Sequence, residues 1–163
     1  MSTPFKKNIT IFGTGAFARK AYQCACALGY IVTVFVDEDN AAHSPISSVP
    51  VVLPSGLSRI AGSEANLFVA IGNAKARNRV MDEFVVKGWH LPSLFHPKSY
   101  IAPDAVIGEG VFIAAISVVE SCSKIGRGSI VDVGAVIDHD CTVGDFYHIK
   151  PGEILLPGTI YKT

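Results

Sequence analysis

The sequence predicts a two-domain fold, in which a Rossmann-like α/β domain built on a βαβ unit precedes a parallel β-helix. Three observations predict it: a glycine-rich turn after a first apolar strand, a connection punctuated by Pro92 and Pro97, and a strict six-residue period beyond that connection. We assign residues 1–95 to the first domain and residues 96–163 to the second, which has room for about three coils.

The βαβ unit begins with the apolar segment NITIF at residues 8–12, which is typical of a buried strand. The turn GTGAFA at residues 13–18 follows, then a predicted helix over 16–28 and a second strand, IVTVFV, at 31–36. Glycines in such a turn let the backbone approach a phosphate at the helix N-terminus, and a carboxylate such as Asp37 can bind a ribose hydroxyl. A tight turn without a ligand is the alternative.

The rest of the first domain adds a strand, LFVAIGN, at residues 67–73. Gly72 and Asn73 end this strand, at the edge where open α/β sheets place their ligands. A helix is predicted over 74–89. Its predicted apolar face consists of Val80, Met81, Phe84 and Val85. Because so short a domain is only half of a doubly wound fold, a mononucleotide fits it better than NAD. The hypothesis of an NAD-dependent oxidoreductase would rest on the glycine turn alone.

The six-residue period occupies the second half of the chain. Its anchors are Ile101, Ile107, Ile113, Val119, Ile125, Val131, Ile137, Val143, Ile149, Leu155 and Tyr161. Such a period drifts around a helix, but it is a multiple of the two-residue strand period, so every anchor can point inward. Hexapeptide repeats indicate a parallel β-helix. Glycines follow three anchors at intervals of eighteen residues and are expected to ease the corners. Ordinary short antiparallel strands are the alternative.

Composition narrows the class of function. Lys plus Arg and Asp plus Glu are balanced at 14 each, which argues against a nucleic-acid partner. No apolar run is long enough to span a bilayer, and no secretory signal precedes Gly13. The four cysteines have neither zinc spacing nor a disulfide framework, so we expect a cytoplasmic protein in a reducing compartment.

The segment with the most chemistry is VIDHDC at residues 136–141. His139 lies between the anchors Ile137 and Val143, so it is not forced inward. An imidazole beside a carboxylate such as Asp140 can act as a general base, although a surface histidine in a polar corner is an equal alternative. A zinc site made from His139 and His148 lacks a third ligand, so no metal is expected.

Five segments together resemble a known family: GTGAFARK, FVDED, AIGN, HPKSYIAPDAVIGEGVFI and GAVIDHDCTVGDFYHIKPG. They are similar to the bacterial sugar acyltransferases of the sialic acid O-acetyltransferase and bacillosamine-pathway N-acetyltransferase type. The resemblance implies a left-handed β-helix that forms a homotrimer and binds acetyl-CoA between adjacent prisms. It also implies a nucleotide-linked amino sugar or sialic acid as acceptor, in surface glycan biosynthesis.

The resemblance also implies roles for individual residues. His139 corresponds to the family's base, and Asp140 orients it. His148 and Gly158 are the candidates for binding the acetyl-CoA. The candidates for binding the sugar or its nucleotide are Gly13, Thr14, Gly15, Asp37, Gly72 and Asn73.

The chain departs from the family's pattern in three places. Ala16-Phe17 replaces a glycine-histidine pair, the family continues for further coils beyond Thr163, and Pro157 offers no N–H where relatives often have glycine. The tail also lacks its expected glycine, which indicates either a register slip or divergence. A second hypothesis is therefore a truncated, weakened homologue that binds sugar nucleotide and trimerises. A β-helix carbonic anhydrase with interfacial zinc is a third.

Overall fold

The first domain is a parallel four-stranded sheet flanked by helices. The computed structural model describes residues 7–59 and 65–161. The strand order is β3-β2-β1-β4, with every pair parallel. The elements are β1 Asn8–Phe12, α1 Ala16–Ala27, β2 Ile31–Val36, β3 Val51–Val52, a 3-10 helix Pro54–Arg59, β4 Leu67–Val69 and α2 Ala74–Val86. The predicted α/β class is confirmed.

The two helices cover opposite faces of this sheet. Ile9 and Ile11 of β1 pack with the small residues of α1, whereas Phe12 packs with α2. The chain runs from β1 to β2 and β3 on one side, then returns to place β4 on the other side of β1. This reversal of strand order leaves a crevice beyond the carboxyl ends of β1 and β4, where ligands bind in open α/β sheets.

Helix α2 differs from its prediction in one side chain and in length. Val80, Met81 and Phe84 are buried as predicted, but Val85 is 43% exposed. The prediction for Val85 is wrong because, at about 100° per residue, Val85 lies beyond the edge of the stripe formed by the buried residues Arg77, Val80, Met81 and Phe84. The helix ends at Val86 rather than at residue 89. Likewise β4 ends at Val69, before the glycine that was predicted to end the strand.

The second domain is a triangular prism of two-residue strands stacked in parallel. Its three faces have the strand orders β14-β11-β8-β5, β15-β12-β9-β6 and β16-β13-β10-β7. The strands are β5 Leu94–Phe95, β6 Tyr100–Ile101, β7 Val106–Ile107, β8 Phe112–Ile113, β9 Val118–Val119, β10 Lys124–Ile125, β11 Ile130–Val131, β12 Val136–Ile137, β13 Thr142–Val143, β14 His148–Ile149, β15 Ile154–Leu155 and β16 Ile160–Tyr161. The predicted left-handed parallel β-helix class is confirmed.

The anchors fill the interior of the prism, and the period starts one hexad earlier than predicted. From Ile113 to Leu155 every anchor is buried, and Phe95 joins the same cluster six residues before Ile101. Within the described residues each face therefore has four strands, and the count of about three coils omitted β5. The register does not slip at the tail, because β15 and β16 pair in step with β12 and β13.

The glycines of the repeat have two different roles. The third residue after each anchor from Ile107 to Leu155 has a positive φ, and five of these nine residues are glycines, whereas the other four include Asp140. Gly126, directly after an anchor, has another constraint, since a Cβ there would lie 2.5 Å from the backbone nitrogen of Asp145 in the next coil. The eighteen-residue glycine period therefore reflects close stacking of successive coils. The expectation that its glycines ease the corners is wrong, because none of Gly108, Gly126 and Gly144 has a positive φ.

The two domains share a core and a buried arginine. Leu94, Phe112 and Ile130 of the first prism face belong to the same apolar cluster as α1. Arg77 of α2 is buried and donates hydrogen bonds to four carbonyl oxygens, two in its own domain and two in the prism: Ile71, Gly72, Gly128 and Phe146. Burial lowers the pKa of Arg77 to about 10, so it remains a cation near neutral pH.

No helix among the described residues is long and apolar enough to cross a membrane.

Candidate active site

A cavity of about 500 Å³ lies beyond the carboxyl ends of β1, β2 and β4. Five of the six predicted substrate-binding residues line it: Gly13, Thr14, Gly15, Asp37 and Gly72. The backbone of this rim is crowded, since a Cβ on Gly13 would lie 2.8 Å from the carbonyl oxygen of Ala70. Gly13 also has a φ of 111°, which glycine adopts without strain.

Asn73, the sixth predicted residue, has a structural contact instead. Its side-chain oxygen accepts a hydrogen bond from the backbone N–H of Ala76 at 3.0 Å and so caps α2. Asn73 is absent from the cavity lining that its neighbour Gly72 joins. Asn73 therefore fixes the start of α2, and its contact with a substrate stays a prediction.

Asp37 is held in place by the glycine-rich turn. The Thr14 hydroxyl donates to Asp37 Oδ2 at 2.6 Å, and the backbone N–H of Asp39 donates to Oδ1 at 3.0 Å. No side chain caps the first turn of α1, where Ala16 and Phe17 line the cavity. A helix N-terminus of this kind favours a phosphate, and a fixed carboxylate nearby can accept from ribose hydroxyls.

An ion pair that sequence reasoning missed lies at the cavity. Arg79 of α2 contacts Glu38 at 2.7 Å, and both side chains are about half exposed. An exposed guanidinium at the edge of this cavity can also bind phosphate oxygens in a fork. The sequence contained a signal for this ion pair. Arg79 lies on the predicted helix that follows AIGN, and Glu38 follows Asp37 directly.

His139 and Asp140 form a hydrogen-bonded pair at the prism corner between β12 and β13. His139 Nδ1 lies 2.7 Å from Asp140 Oδ2, and the His139 side chain is 56% exposed. Because the carboxylate accepts, Nδ1 carries the proton and Nε2 is left as the acceptor. The hydrogen bond to Asp140 raises the pKa of His139 against the opposing effect of desolvation, and the charges of Asp138, Asp140 and Glu120 add to the rise. This geometry suits a general base.

Gly158 lies one coil beyond Asp140, next to this pair. Its backbone N–H donates to the carbonyl oxygen of His139 at 3.0 Å, so that N–H is already in use. Pro157, one coil beyond His139, has no N–H. The corner therefore has no free backbone N–H at position 157 or 158 with which to bind a ligand.

His148 lines a second cavity, which we call the seam pocket. This pocket of about 130 Å³ lies between the domains and is bounded by Ala16, Phe17, Lys20, Gly72, Ile130, Asp132 and His148. Three of these, Ala16, Phe17 and Gly72, also line the larger cavity, so the two spaces adjoin. Phe17 stands between them and packs edge-on against Phe112 with ring centroids 5.1 Å apart.

The seam pocket contains two polar residues that sequence reasoning did not select. Asp132 Oδ2 lies 3.3 Å from His148 Nε2, and Asp132 Oδ1 lies 2.8 Å from Lys20 Nζ. Burial lowers the pKa of His148, and the charges of Lys150 and Arg77 act in the same direction against Asp132. Asp132 follows an anchor directly and Lys20 lies within GTGAFARK, but nothing in the sequence links positions so far apart.

The structure thus brings the predicted residues together in two groups. The glycine-rich turn, Asp37, Gly72 and His148 share the adjoining cavities of one chain. His139 and Asp140 line neither cavity and lie at another corner of the prism. No group of three or more His, Cys, Asp and Glu among the described residues could hold a metal ion.

Comparison with known proteins gives consistent matches. The family model described as the PglD N-terminal domain matches residues 8–84. The GDP-perosamine N-acetyltransferase of Escherichia coli O157:H7 is 27% identical over 149 residues, which cover 87% of this chain and 66% of that protein. The chain therefore spans just under two thirds of that relative's length.

Two solved structures are similar along most of the chain. A histidine-to-alanine variant of the GDP-perosamine N-acetyltransferase from Caulobacter crescentus, in complex with CoA and GDP-perosamine, has a TM-score of 0.86 at 30% identity, covering 98% of this chain and 76% of that one. The acetyltransferase domain of PglB from Neisseria gonorrhoeae FA1090, in complex with acetyl coenzyme A, has a TM-score of 0.82 at 29% identity, with coverages of 93% and 74%.

Proposed function

The chain belongs to the hexapeptide-repeat sugar acetyltransferases, and we propose that it transfers an acetyl group from acetyl-CoA to the amine of a nucleotide-linked sugar. The observation that carries the proposal is the hydrogen bond between His139 and Asp140 on the prism corner. The relatives that are named as N-acetyltransferases favour an amine over a hydroxyl as acceptor. The setting is surface glycan biosynthesis.

The cavity of the first domain is suited to the nucleotide. The uncapped first turn of α1 favours the diphosphate, Asp37 can accept from the ribose, and Arg79 can pair with a phosphate once it leaves Glu38. The adjoining seam pocket then lies where the sugar follows the diphosphate. Gly13, Thr14, Gly15 and Gly72 contribute backbone and small side chains that leave this space open.

His139 is the proposed base. The sugar nitrogen attacks the thioester carbonyl, the carbon–sulfur bond breaks, and CoA leaves as a thiol after taking up a proton. Nε2 of His139 accepts the proton that the nitrogen loses, while Asp140 holds Nδ1 and stabilises the imidazolium that forms. His148 and Gly158 are the proposed contacts of the acetyl-CoA.

A homotrimer would bring the two groups of residues together. His139 and Asp140 line neither cavity of their own chain, so a neighbouring copy must supply them or the sugar. One prism face supports self-association, because its outward residues stack in register as an apolar column of Tyr100, Val118, Val136 and Ile154. Uncovered apolar strands of this kind are expected to be buried by another copy.

A cytoplasmic location fits both the substrates and the cysteines. Acetyl-CoA and nucleotide sugars are cytoplasmic metabolites, and all four cysteines are free thiols. Free cysteines are typical of a reducing compartment.

The activity is tested by incubating the protein with acetyl-CoA and GDP-, UDP- and dTDP-linked amino sugars while measuring released thiol. We expect release with at least one sugar and a loss of about 10²–10⁴-fold in the His139→Ala variant. The matched control is His43→Ala, since His43 is an exposed histidine outside both cavities. Wild-type release no faster than that of His139→Ala would overturn the proposal.

A second candidate is a chain that binds the nucleotide sugar with little turnover. Pro157 and the occupied N–H of Gly158 favour it, because both remove backbone donors from the corner where a thioester oxygen would need one. Calorimetry separates the two candidates. This one predicts heat on binding the nucleotide sugar and none with CoA, whereas the acetyltransferase binds both.

A further inference from the structure

A buried carboxylate, Asp132, lies at the seam between the domains. It occupies the corner after β11, and its side chain is only 9% exposed. Burial opposes the ionisation of Asp132, but hydrogen bonds from Lys20 and from the backbone N–H of Val133, with the charge of Lys20, lower its pKa. Asp132 is therefore an anion, and a buried anion needs partners that satisfy it.

The partners of Asp132 come from both domains. Oδ1 accepts from Lys20 Nζ at 2.8 Å and from Val133 N at 2.8 Å, whereas Oδ2 faces His148 Nε2 at 3.3 Å. Lys20 is an exposed residue of α1, four positions after Ala16 and so on the same face of the helix. The helix that lines the nucleotide cavity thus reaches across the seam to the carboxylate that contacts His148.

The charged groups around His148 favour one protonation state. Nδ1 lies 3.2 Å from the ammonium of Lys150, which can only donate, so Nδ1 is the acceptor and Nε2 carries the proton. Arg77 of α2 adds a second nearby positive charge. Burial is the largest effect and lowers the pKa of His148, with these two cations acting in the same direction, whereas the hydrogen bond and charge of Asp132 oppose it. His148 is consequently a neutral ring with a defined tautomer.

We propose that Asp132, held by Lys20, is a positioning residue that fixes His148 as a neutral, Nε2-protonated imidazole at the seam pocket. This inference rests on the proposed acetyl transfer, in which His148 contacts the acetyl-CoA beside the sugar. With Nε2 committed to Asp132, only Nδ1 is able to bind a substrate, and it does so as an acceptor. Lys150 is exposed, so an O–H or N–H donor of the substrate can replace it.

The arrangement also connects the two cavities. Ala16 and Phe17 of α1 line the nucleotide cavity, and Lys20 of the same helix holds Asp132. An uncharged His148 does not repel an amine that is still protonated when it enters the seam pocket. We therefore expect breakage of the Lys20–Asp132 pair to act mainly on kcat and to leave the KM for the nucleotide sugar nearly unchanged.

The test combines nitrogen-15 NMR of the histidine rings with kinetics in two variants. Assignment of the His148 signals uses their loss in His148→Gln. In Asp132→Asn we expect a mixture of tautomers and a lower pKa of His148, because the carboxylate that contacts Nε2 is removed. In Lys20→Met we expect a higher pKa of His148, because Asp132 is no longer neutralised. Lys87→Met, which breaks the exposed pair with Glu83, is the matched control and changes neither.

The kinetic measurement should show a fall in kcat of roughly tenfold in Asp132→Asn, as for carboxylates that orient functional histidines elsewhere. Opposite pKa changes in the two variants support the proposal, and unchanged His148 signals in both would overturn it. A lower melting temperature with unchanged tautomer and unchanged kcat would assign Asp132 a structural role only. Failure of the acetyl-transfer proposal is distinguishable, because it appears as absent thiol release in the wild type while the NMR result stands.

Discussion

The two histidines of the candidate site have opposite electrostatic surroundings. His139 is exposed beside three carboxylates, and its hydrogen bond to Asp140 raises its pKa. His148 is partly buried near two cations, and burial lowers its pKa. His139 is thereby suited to accept a proton, whereas His148 is suited to remain neutral.

The raised pKa of His139 gives a pH dependence whose sign can be worked out. A general base acts when neutral, so the rate should fall as the pH falls through the pKa of His139. In Asp140→Asn the stabilising carboxylate is lost, so the acid limb of kcat/KM should move to lower pH while the plateau drops because the tautomer is no longer fixed. Pre-steady-state or steady-state profiles between about pH 5 and 9 measure both effects.

Asp82→Asn is the control for this experiment, since Asp82 pairs with Arg127 on an exposed surface away from the corner. Its profile should match that of the wild type. An acid limb that stays in place in Asp140→Asn would contradict the role assigned to Asp140.

At the scale of elements, the prism depends on how closely its coils approach one another. The corner residues show that a positive φ there tolerates side chains, since Ile116, Cys122, Asp140 and Phe146 all adopt it. Asp is among the residues most tolerant of this region, so Asp140 meets the corner's conformation at little cost. The glycines directly after the anchors are different, because their neighbours in the next coil are backbone atoms.

Replacing Gly126 by alanine should therefore destabilise the prism by about 1–3 kcal/mol or more. The added Cβ would lie 2.5 Å from the backbone nitrogen of Asp145, and backbone cannot move aside as a flexible side chain can. Urea unfolding of the two proteins measures the difference in free energy. Gly56→Ala is the control: its nearest contact would be 3.5 Å from Val52 Cβ, so we expect a change within about 0.5 kcal/mol. Equal stabilities for the two variants would refute the stacking explanation.

At the scale of the whole molecule, one arginine and one apolar cluster hold the domains in a fixed relation. Arg77 donates to carbonyl oxygens on both sides of the seam, and α1 packs on the first prism face. This relation creates the seam pocket and places it against the larger cavity of the first domain. It also leaves the face containing Ile154 uncovered, with His139 at the neighbouring corner.

Burial of that face predicts an oligomer that a charge should disrupt. Ile154 is 64% exposed in the single chain, and we expect Ile154→Glu to convert a trimer to monomers, because a carboxylate is costly to bury in an apolar contact. Sedimentation velocity at micromolar concentration measures the change. The matched control is Val86→Glu, an aliphatic residue that is 88% exposed at the end of α2. A wild-type monomer, or a trimer that survives Ile154→Glu, would contradict this interface.

The sequence by itself determined the features that depend on local order. The six-residue period predicted the prism because side-chain alternation is a property of neighbouring residues, and the glycine-rich turn with Asp37 predicted the cavity for the same reason. The pairing of His139 with Asp140 could be predicted because the two residues are adjacent, and their hydrogen bond is present in the structure. Phe95 was missed as an anchor because it lies between Pro92 and Pro97, where a connection was expected.

Only the tertiary structure decided how these local features meet. Lys20 and Asp132 are separated by 112 positions, and their contact exists because α1 packs on the first face of the prism. The four carbonyl partners of Arg77 and the separation of His139 from both cavities have the same origin. A periodic pattern specifies which way a side chain points along its own strand, but not which distant side chain it meets, since that depends on how the domains pack.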